Sequence, residues 1–125
     1  MPVPKLIGIA PQLVVRDVVK TAEYYRDILG FTIIDYFLDP PVYAMVQRDG
    51  FQIHFGKSNI DSIQINEEIR KGTSDFIIWV PEIDSFYSEL IAKGADIIGG
   101  IVKRIYGGRE FVIRDCDGHQ ILVGE

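Results

Sequence analysis

The chain has 125 residues, of which 47% are hydrophobic, and this is the length and apolar content of one ordinary domain. Its net charge of −5 argues against a nucleic-acid partner, because such partners are bound largely by clustered lysines and arginines. No stretch approaches the ~20 apolar residues that cross a bilayer, and Cys116 is the single cysteine, so we expect a cytoplasmic protein without a disulfide.

The first half of the chain has the pattern of a strand, a helix and three further strands. An apolar run over about 7–15 predicts the first strand, and Asp17 is a suitable N-cap for the helix that follows. Apolar residues recur along this helix at three- and four-residue steps until Gly30, a residue type common just past a helix end. Strands are then predicted over 31–38, 42–47 and 51–55, and Asp49-Gly50 joins the last two.

The second half repeats this order. A strand over 75–80 precedes a helix that Gly94 closes, and strands follow over 95–103, 109–114 and 119–123. Asp117-Gly118 matches Asp49-Gly50 in sequence and in place, so we predict a type I′ hairpin turn at both sites. The prediction is one α+β domain over 1–125, with module one over about 5–57, a connecting arm over about 58–73, and module two over about 74–125.

Several short motifs accompany this duplication. They are Pro11-x-Leu13, Tyr24-Tyr25, Leu29-Gly30-Phe31 and the closing Asp117-Gly118. A duplicated unit with these motifs resembles the glyoxalase, bleomycin-resistance and extradiol-dioxygenase superfamily, also called the vicinal oxygen chelate proteins, over essentially the whole chain. The resemblance implies two tandem βαβββ modules, a mixed sheet curled into a half-barrel, helices on the convex face, a ligand cleft on the concave face, and a homodimer.

The resemblance also identifies four positions that hold the metal in metal-dependent members, on the first and last strands of each half. In this sequence they fall at Ala10, His54, Asp75 and Leu122. Ala10 and Leu122 have no donor atom, and a shift of two residues on the first strand brings in only Gln12. Because a divalent ion needs at least three protein ligands, we expect no metal and no cofactor. This departure resembles the bleomycin-resistance-like branch, whose members bind a ligand without catalysis.

Strand alternation extends the predicted cleft to further side chains, because residues two apart share a face. Arg109 follows a glycine-rich loop and is a candidate contact for a ligand carboxylate. The predicted ligand-binding residues are Gln12, Gln52, His54, Asp75, Trp79, Gln120 and Arg109. On the same parity, His119 lies on the convex face and has no role in the site.

Four of these residues have a structural alternative. Trp79 is equally suited to the core or a dimer interface, and His54 to a hydrogen-bonded place within a strand. Asp75 also fits the exposed start of its strand, and Arg109 a surface ion pair with an acidic side chain.

The sequence therefore predicts a small-molecule binding protein without metal-dependent catalysis. The alternative is a lyase or isomerase of the same superfamily that uses His54 as general base, with Asp75 in support and with or without a divalent metal. A third possibility is an interaction module that has no ligand.

Overall fold

The computed structural model describes residues 3–125. The elements follow one another in the order β1 (Gln12–Val15), α1 (Val18–Asp27), β2 (Thr32–Phe37), β3 (Tyr43–Arg48), β4 (Phe51–Lys57), α2 (Asn66–Ile69), β5 (Phe76–Trp79), α3 (Ile83–Ala92), β6 (Asp96–Lys103), β7 (Arg109–Arg114) and β8 (Gln120–Gly124). None of the helices within 3–125 combines the length and apolarity needed to cross a bilayer.

The strands form two four-stranded mixed sheets of identical topology. Sheet one has the order β1-β4-β3-β2, and sheet two has the order β5-β8-β7-β6. In each sheet the first and last strands of the module pair in parallel, and the other neighbours pair antiparallel. The predicted α+β fold of two βαβββ modules is confirmed. Across residues 3–125, no strand of one sheet pairs with a strand of the other.

Helix α1 begins and ends where the sequence predicts. The Asp17 carboxylate accepts the backbone N–H groups of Val19 and Lys20, both at 3.1 Å, and Gly30 follows the helix with φ 77°. The apolar side of the helix is buried against sheet one, and Tyr25 contacts Phe55 there with 4.8 Å between ring centroids. The opposite face of each sheet, which we call the open face, is left uncovered by its helix.

The first strand is shorter than predicted, and this part of the prediction is wrong. Backbone pairing starts where the N–H of His54 donates to Pro11 O, so 3–10 form an extended arm outside the sheet. Leu6, Ile7 and Ile9 of the arm are 92%, 102% and 92% exposed. The apolar composition of this segment predicts a strand. Composition alone, however, does not distinguish a strand that pairs within the chain from an exposed segment that is available to another molecule.

The two Asp-Gly sites form different turns. Asp49 and Gly50 have φ values of 52° and 82°, the two positive angles that a type I′ turn requires. At the second site the turn is also tight, because the Gly118 N–H donates to Asp115 O at 3.1 Å and the Asp115 N–H donates to His119 O at 2.9 Å. The predicted type I′ form is wrong there, because Gly118 has a φ of 92° but Asp117 does not have a positive φ. The Asp115 carboxylate holds this 115–119 loop by accepting the N–H groups of Asp117 and His119, each at 2.9 Å.

Side chains connect the two modules. The Tyr25 hydroxyl donates to Asp115 across 2.7 Å, and His119 Nε2 lies 2.9 Å from Val14 O. On the other side of the molecule, Arg48 of β3 donates to both carboxylate oxygens of Glu89 in α3, at 2.8 and 3.0 Å. These bonds fix how the sheets sit relative to each other.

Candidate functional site

Four side chains form a hydrogen-bonded row across the open face of sheet one. Gln12 Nε2 lies 2.8 Å from the Tyr43 hydroxyl, which lies 2.8 Å from His54 Nδ1. His54 Nε2 in turn lies 2.8 Å from Gln52 Oε1. We call these residues the polar row. The inner two are half-buried and the outer two are exposed, so the row offers its ends to a ligand.

Strand register explains how the row forms. The parallel pairing of β1 with β4 sets Gln12 beside His54, and alternation along β4 brings Gln52 to the same face. The register partner of His54 is therefore Gln12, and Ala10 lies before the first residue of β1. In sheet two the equivalent neighbours are Ile77 and Leu122, which are aliphatic.

A groove of ≈ 650 Å³ lies between the modules, next to the polar row. Gln52 and Phe51 line it from β4, and Ile77 and Trp79 line it from β5. The other lining residues are Ile9, Ala10, Pro11, Phe31, Arg48, Asp49, Ile53, Phe76, Ile78, Val80 and Phe86. The groove is mostly apolar and aromatic, as small-molecule sites commonly are. It brings together two of the predicted ligand-binding residues, Gln52 and Trp79.

The indole of Trp79 lies against the backbone of Gly124, its register partner on β8. A Cβ atom built on Gly124 would lie 2.7 Å from Trp79 Cζ3, which is closer than real contacts allow. Trp79 is nevertheless 69% exposed, so its ring is supported on one side and open on the other. This arrangement gives the groove a flat aromatic wall.

Asp75 does not line the cleft, contrary to the prediction. Its carboxylate accepts the N–H groups of Asn66 and Gln120, both at 2.9 Å, and only 7% of the side chain is exposed. Its second oxygen lies 3.5 Å from Nδ1 of His119, which is itself buried between the modules. Asp75 sits at the start of β5, where it organises the backbone and does not contact His54.

Arg109 is also removed from the groove. Its guanidinium donates to Glu125 at 2.7 Å and to Asp84 at 3.0 Å, which is the surface ion pairing that the sequence left open. Alternation sets Arg109 on the side of Phe111 and Ile113, the helix side of sheet two. Gln120 lies on the open face of sheet two beside Arg114, outside the groove lining.

The open face of sheet two carries one buried acid, Glu110, among aliphatic residues. Arg104 Nη2 lies 2.9 Å from its carboxylate, and the Tyr106 hydroxyl also donates to it. Burial alone would raise the pKa of Glu110, but the bonds from Arg104 and Tyr106 hold this pKa below its usual value. Glu110 is therefore an ionised and already paired group.

The donor set does not suit a metal ion. Leu122 and Ile77 offer no donor atom, and both ring nitrogens of His54 are engaged by Tyr43 and Gln52. Within 3–125, no three His, Cys, Asp or Glu side chains are grouped as a divalent ion requires. The polar row thus presents amides and a phenol, which are suited to hydrogen bonding.

Tyr43 is the member of the row that the sequence analysis missed. The alternation in β3, where Tyr43 and Met45 alternate with the buried Ala44 and Val46, would have identified its face. A second depression of ≈ 400 Å³ near Gly30 is polar, and it is lined by four charged residues that form ion pairs with one another, Arg48, Asp49, Glu89 and Lys93. That depression therefore offers a ligand little unpaired chemistry.

Comparison with known proteins gives one family match. The family model described as "Glyoxalase/Bleomycin resistance protein/Dioxygenase superfamily" matches residues 8–123. No curated protein matches the sequence significantly.

Solved structures similar to this chain include three with sequence identities near one fifth. The bleomycin-binding protein from bleomycin-producing Streptomyces verticillus, complexed with copper(II)-bleomycin, is 22% identical with a TM-score of 0.73, covering 97% of each chain. A bleomycin resistance determinant encoded on the transposon Tn5 is 18% identical with a TM-score of 0.76, covering 96% of this chain and 98% of that one. A glyoxalase-related enzyme from Clostridium phytofermentans is 20% identical with a TM-score of 0.77, covering 98% and 96%.

Proposed function

Because the chain belongs to the glyoxalase/bleomycin resistance protein/dioxygenase superfamily, we propose that it is a small-molecule binding protein that works without metal-dependent catalysis. The single observation that carries this proposal is the groove of ≈ 650 Å³ between the modules, which both Gln52 and Trp79 line. The fold alone does not decide between binding and catalysis, since one fold supports many activities. The site chemistry therefore carries the proposal.

The ligand contacts we propose are an aromatic wall and a polar edge. Trp79 offers one open ring face for a planar group, a contact of about 1 kcal/mol beyond area burial. Gln52 adds amide hydrogen bonding, and Gln12 and His54 extend it along the polar row. The bleomycin-binding protein with a similar fold holds copper(II)-bleomycin, which agrees with a binding role here but does not identify the ligand.

Absence of a metal is part of the proposal. Two observations support it. Both ring nitrogens of His54 are hydrogen-bonded, and the equivalent positions of sheet two are the aliphatic residues Ile77 and Leu122. The single cysteine supports the cytoplasmic location expected from the sequence. A crystal grown with excess Ni²⁺ or Zn²⁺ that shows an ion held by three or more side chains in this groove would overturn the metal-free assignment.

We also propose a homodimer. The arm at 3–10 exposes Leu6, Ile7 and Ile9 almost completely, and the open face of sheet two exposes Ile77 and Trp79. Apolar area of this extent on a small chain is typical of an interaction surface. Sedimentation equilibrium should give twice the chain mass, and deletion of residues 3–10 should weaken the association. A monomer at high micromolar concentration would contradict the proposal.

Thermal shift against a panel of metabolites, antibiotics and divalent metals tests the binding function. A ligand selective for the folded state adds about 2.7 kcal/mol to the free energy of unfolding at a concentration 100-fold above its Kd, and the melting temperature rises as a result. Trp79→Ala and Gln52→Ala should abolish the shift, while Arg26→Ala on the outer surface of α1 should keep it. No shift with any compound would favour the interaction-module reading.

A second candidate is a lyase or isomerase that uses His54 as general base. The observation in its favour is the 2.8 Å contact between Tyr43 and His54, a pair able to pass a proton. Asp75 cannot orient His54 in such a reaction, because its carboxylate lies 3.5 Å from His119 Nδ1 and does not contact His54. His54→Ala would abolish turnover and leave ligand binding and folding intact, whereas equal losses of all three would make His54 structural.

A further inference from the structure

We infer that Glu110 binds the cationic group of a planar ligand, and that the Arg104 guanidinium occupies this place in the chain without ligand. The class of ligand is an aromatic ring that carries an amidinium or a guanidinium. The inference rests on the proposed binding function, because the ring of such a ligand stacks on Trp79 in the groove. It adds to that function the charge of the ligand.

Glu110 and Trp79 share the open face of sheet two and lie on strands that flank β8. Trp79 of β5 is the register partner of Gly124, and Gly124 is the register partner of Glu110 on β7. Neighbouring strands lie about 4.8 Å apart, so Gly124 is the one residue of this row between the indole and the acid. Gly124 has no side chain, and the six-membered ring of the indole lies over it. The indole therefore extends from the groove toward Glu110.

Glu110 is an acid that requires a cation beside it. Only 9% of its side chain is exposed. Its register partners, Val102 on β6 and Gly124 on β8, have no side-chain group that could donate to the carboxylate. A charged group withdrawn from water in this way is costly unless it is paired. Arg104 supplies the positive charge, and the Tyr106 hydroxyl supplies a hydrogen bond.

Arg104 holds this place through a single contact. Its Nη2 atom lies 2.9 Å from Glu110 Oε2, and about half of the side chain is exposed. Within 3–125 no second acidic side chain pairs with it. Arg109, in contrast, pairs with both Asp84 and Glu125. Arg104 also lies outside the strands, in the loop between β6 and β7. Its side chain can therefore rotate into solvent and leave the carboxylate to another cation.

An amidinium or a guanidinium on a ring matches the group that Arg104 presents. Both are planar cations with parallel N–H groups, which carboxylates bind more strongly than neutral donors. A ring that stacks on Trp79 places such a substituent over Gly124, next to Glu110. The nearby indole also stabilises a cation, and the net charge of −5 favours its approach. A neutral amide has no charge with which to replace Arg104.

Benzamidine and benzamide test the inference, because they share one ring and nearly one shape and differ in charge. Their affinities for the full chain and for Arg104→Ala are measured by NMR titration at neutral pH. Without Arg104, Glu110 has no cation of its own, so benzamidine should bind the variant at least about tenfold more tightly than the native chain. Benzamide should bind both chains equally. The indole N–H signal of Trp79, the one tryptophan, should shift with either probe.

Arg109→Ala is the matched control for charge. It removes one positive charge from the residue next to Glu110, but this side chain lies on the helix side of sheet two. A gain that came from the net charge alone would appear in both variants. We expect the tighter binding of benzamidine in Arg104→Ala only.

The double variant Arg104→Ala/Glu110→Gln tests the role of the carboxylate. The amide of glutamine has nearly the same shape and no charge, so the gain in benzamidine affinity should disappear. Melting temperatures provide a second measurement if Arg104→Ala is less stable than the native chain. Benzamidine should then raise the melting temperature of Arg104→Ala more than that of the double variant.

Unchanged or weaker benzamidine binding in Arg104→Ala, an equal gain in Arg109→Ala, or a gain that persists in the double variant would each overturn the inference. Binding of neither probe to any of these chains, while other panel compounds bind in the groove, would overturn this inference and leave the proposed function standing. Binding of no compound at all would overturn both.

Discussion

The Tyr25 hydroxyl lies 2.7 Å from the Asp115 carboxylate, and this bond joins helix α1 of module one to the 115–119 loop of module two. Both side chains are buried. Burial raises the pKa of the Asp115 carboxyl and also raises the pKa of Tyr25 well above its usual value. The Tyr25 bond opposes the effect of burial on Asp115, because it stabilises the charged carboxylate.

Tyr25→Phe should therefore lower the free energy of unfolding by about 1–3 kcal/mol, because a buried carboxylate loses a donor. Because the pKa of Asp115 is raised in the folded chain, the free energy of unfolding falls as pH rises from the usual value of 3.8 through the pKa of the folded state. Without the Tyr25 bond this pKa rises further, so the variant loses more free energy of unfolding over that pH range. The difference in unfolding free energy between the native chain and Tyr25→Phe should be small at acid pH and larger toward neutral pH, and urea unfolding curves measure it. Tyr24→Phe is the control, because it removes only an exposed hydrogen bond of 3.4 Å from the Tyr24 hydroxyl to Arg114 O.

Arg48→Ala should separate α3 from module one. Arg48 donates to Leu29 O at 2.8 Å and to Glu89, and its guanidinium lies 5.0 Å from the Phe86 ring centroid. We expect a loss of about 1–3 kcal/mol in unfolding free energy, given the partial exposure of the pair. The Arg48 bond lowers the pKa of Glu89, so the stability it gives is present above the usual value of 4.5 and fades as pH falls.

Comparison of native and Arg48→Ala unfolding curves across acid pH measures this effect. The deficit should shrink as Glu89 becomes protonated. Arg26→Ala breaks a surface ion pair with Asp27 and should leave the free energy of unfolding nearly unchanged, because solvent screens this exposed pair. A deficit that is constant with pH would show that Glu89 contributes nothing to it.

Gly124→Ala should displace the indole of Trp79, because the new methyl group would occupy the space of the ring. Trp79 is the one tryptophan, so its fluorescence reports this movement directly. We expect a shifted emission maximum and weaker binding of any ligand that stacks on the ring. Gly8→Ala, where nothing lies within 4 Å, should change neither property. An unchanged spectrum in Gly124→Ala would mean that Trp79 does not rest on this residue in solution.

Cys116 should be a slow nucleophile although the residue as a whole is exposed. Partial burial of its thiol, followed by the carboxylates of Asp117 and Asp115, raises the pKa of the thiol to about 12. Because the thiolate reacts, modification by a disulfide reagent at pH about 8 should be at least about tenfold slower in the folded chain than in urea. Asp117→Asn should accelerate the folded-state reaction. Equal rates in folded and unfolded chains would contradict the raised pKa.

The duplicated fold could be predicted from sequence because local signals repeated in the same order. Asp17, Gly30 and Gly94 mark helix ends through caps and positive φ, and these depend on neighbouring residues only. The form of the second Asp-Gly turn was mispredicted because the Asp115 carboxylate accepts the N–H groups of Asp117 and His119, which favours a turn in which Asp117 has no positive φ. A dipeptide signal does not include such an acceptor.

The site was predictable only where strand parity determines it. Gln12, Gln52 and His54 share a face because residues two apart do so, and the row follows from that. Asp75 was assigned from the family resemblance and Arg109 from its charge. Their partners His119, Asp84 and Glu125 are distant in sequence. Side-chain pairing over such distances depends on how the strands and α3 of module two pack together, which no local pattern contains.

The separation of the two sheets has a consequence for how this protein adapts. Since the sheets share no strand pairing within 3–125, contacts such as Tyr25 with Asp115 and Arg48 with Glu89 determine the spacing between them. The width of the groove is thus set by replaceable side chains. Single substitutions at these contacts can widen or narrow the opening while both backbone scaffolds stay intact, so new ligand sizes are accessible to evolution in small steps.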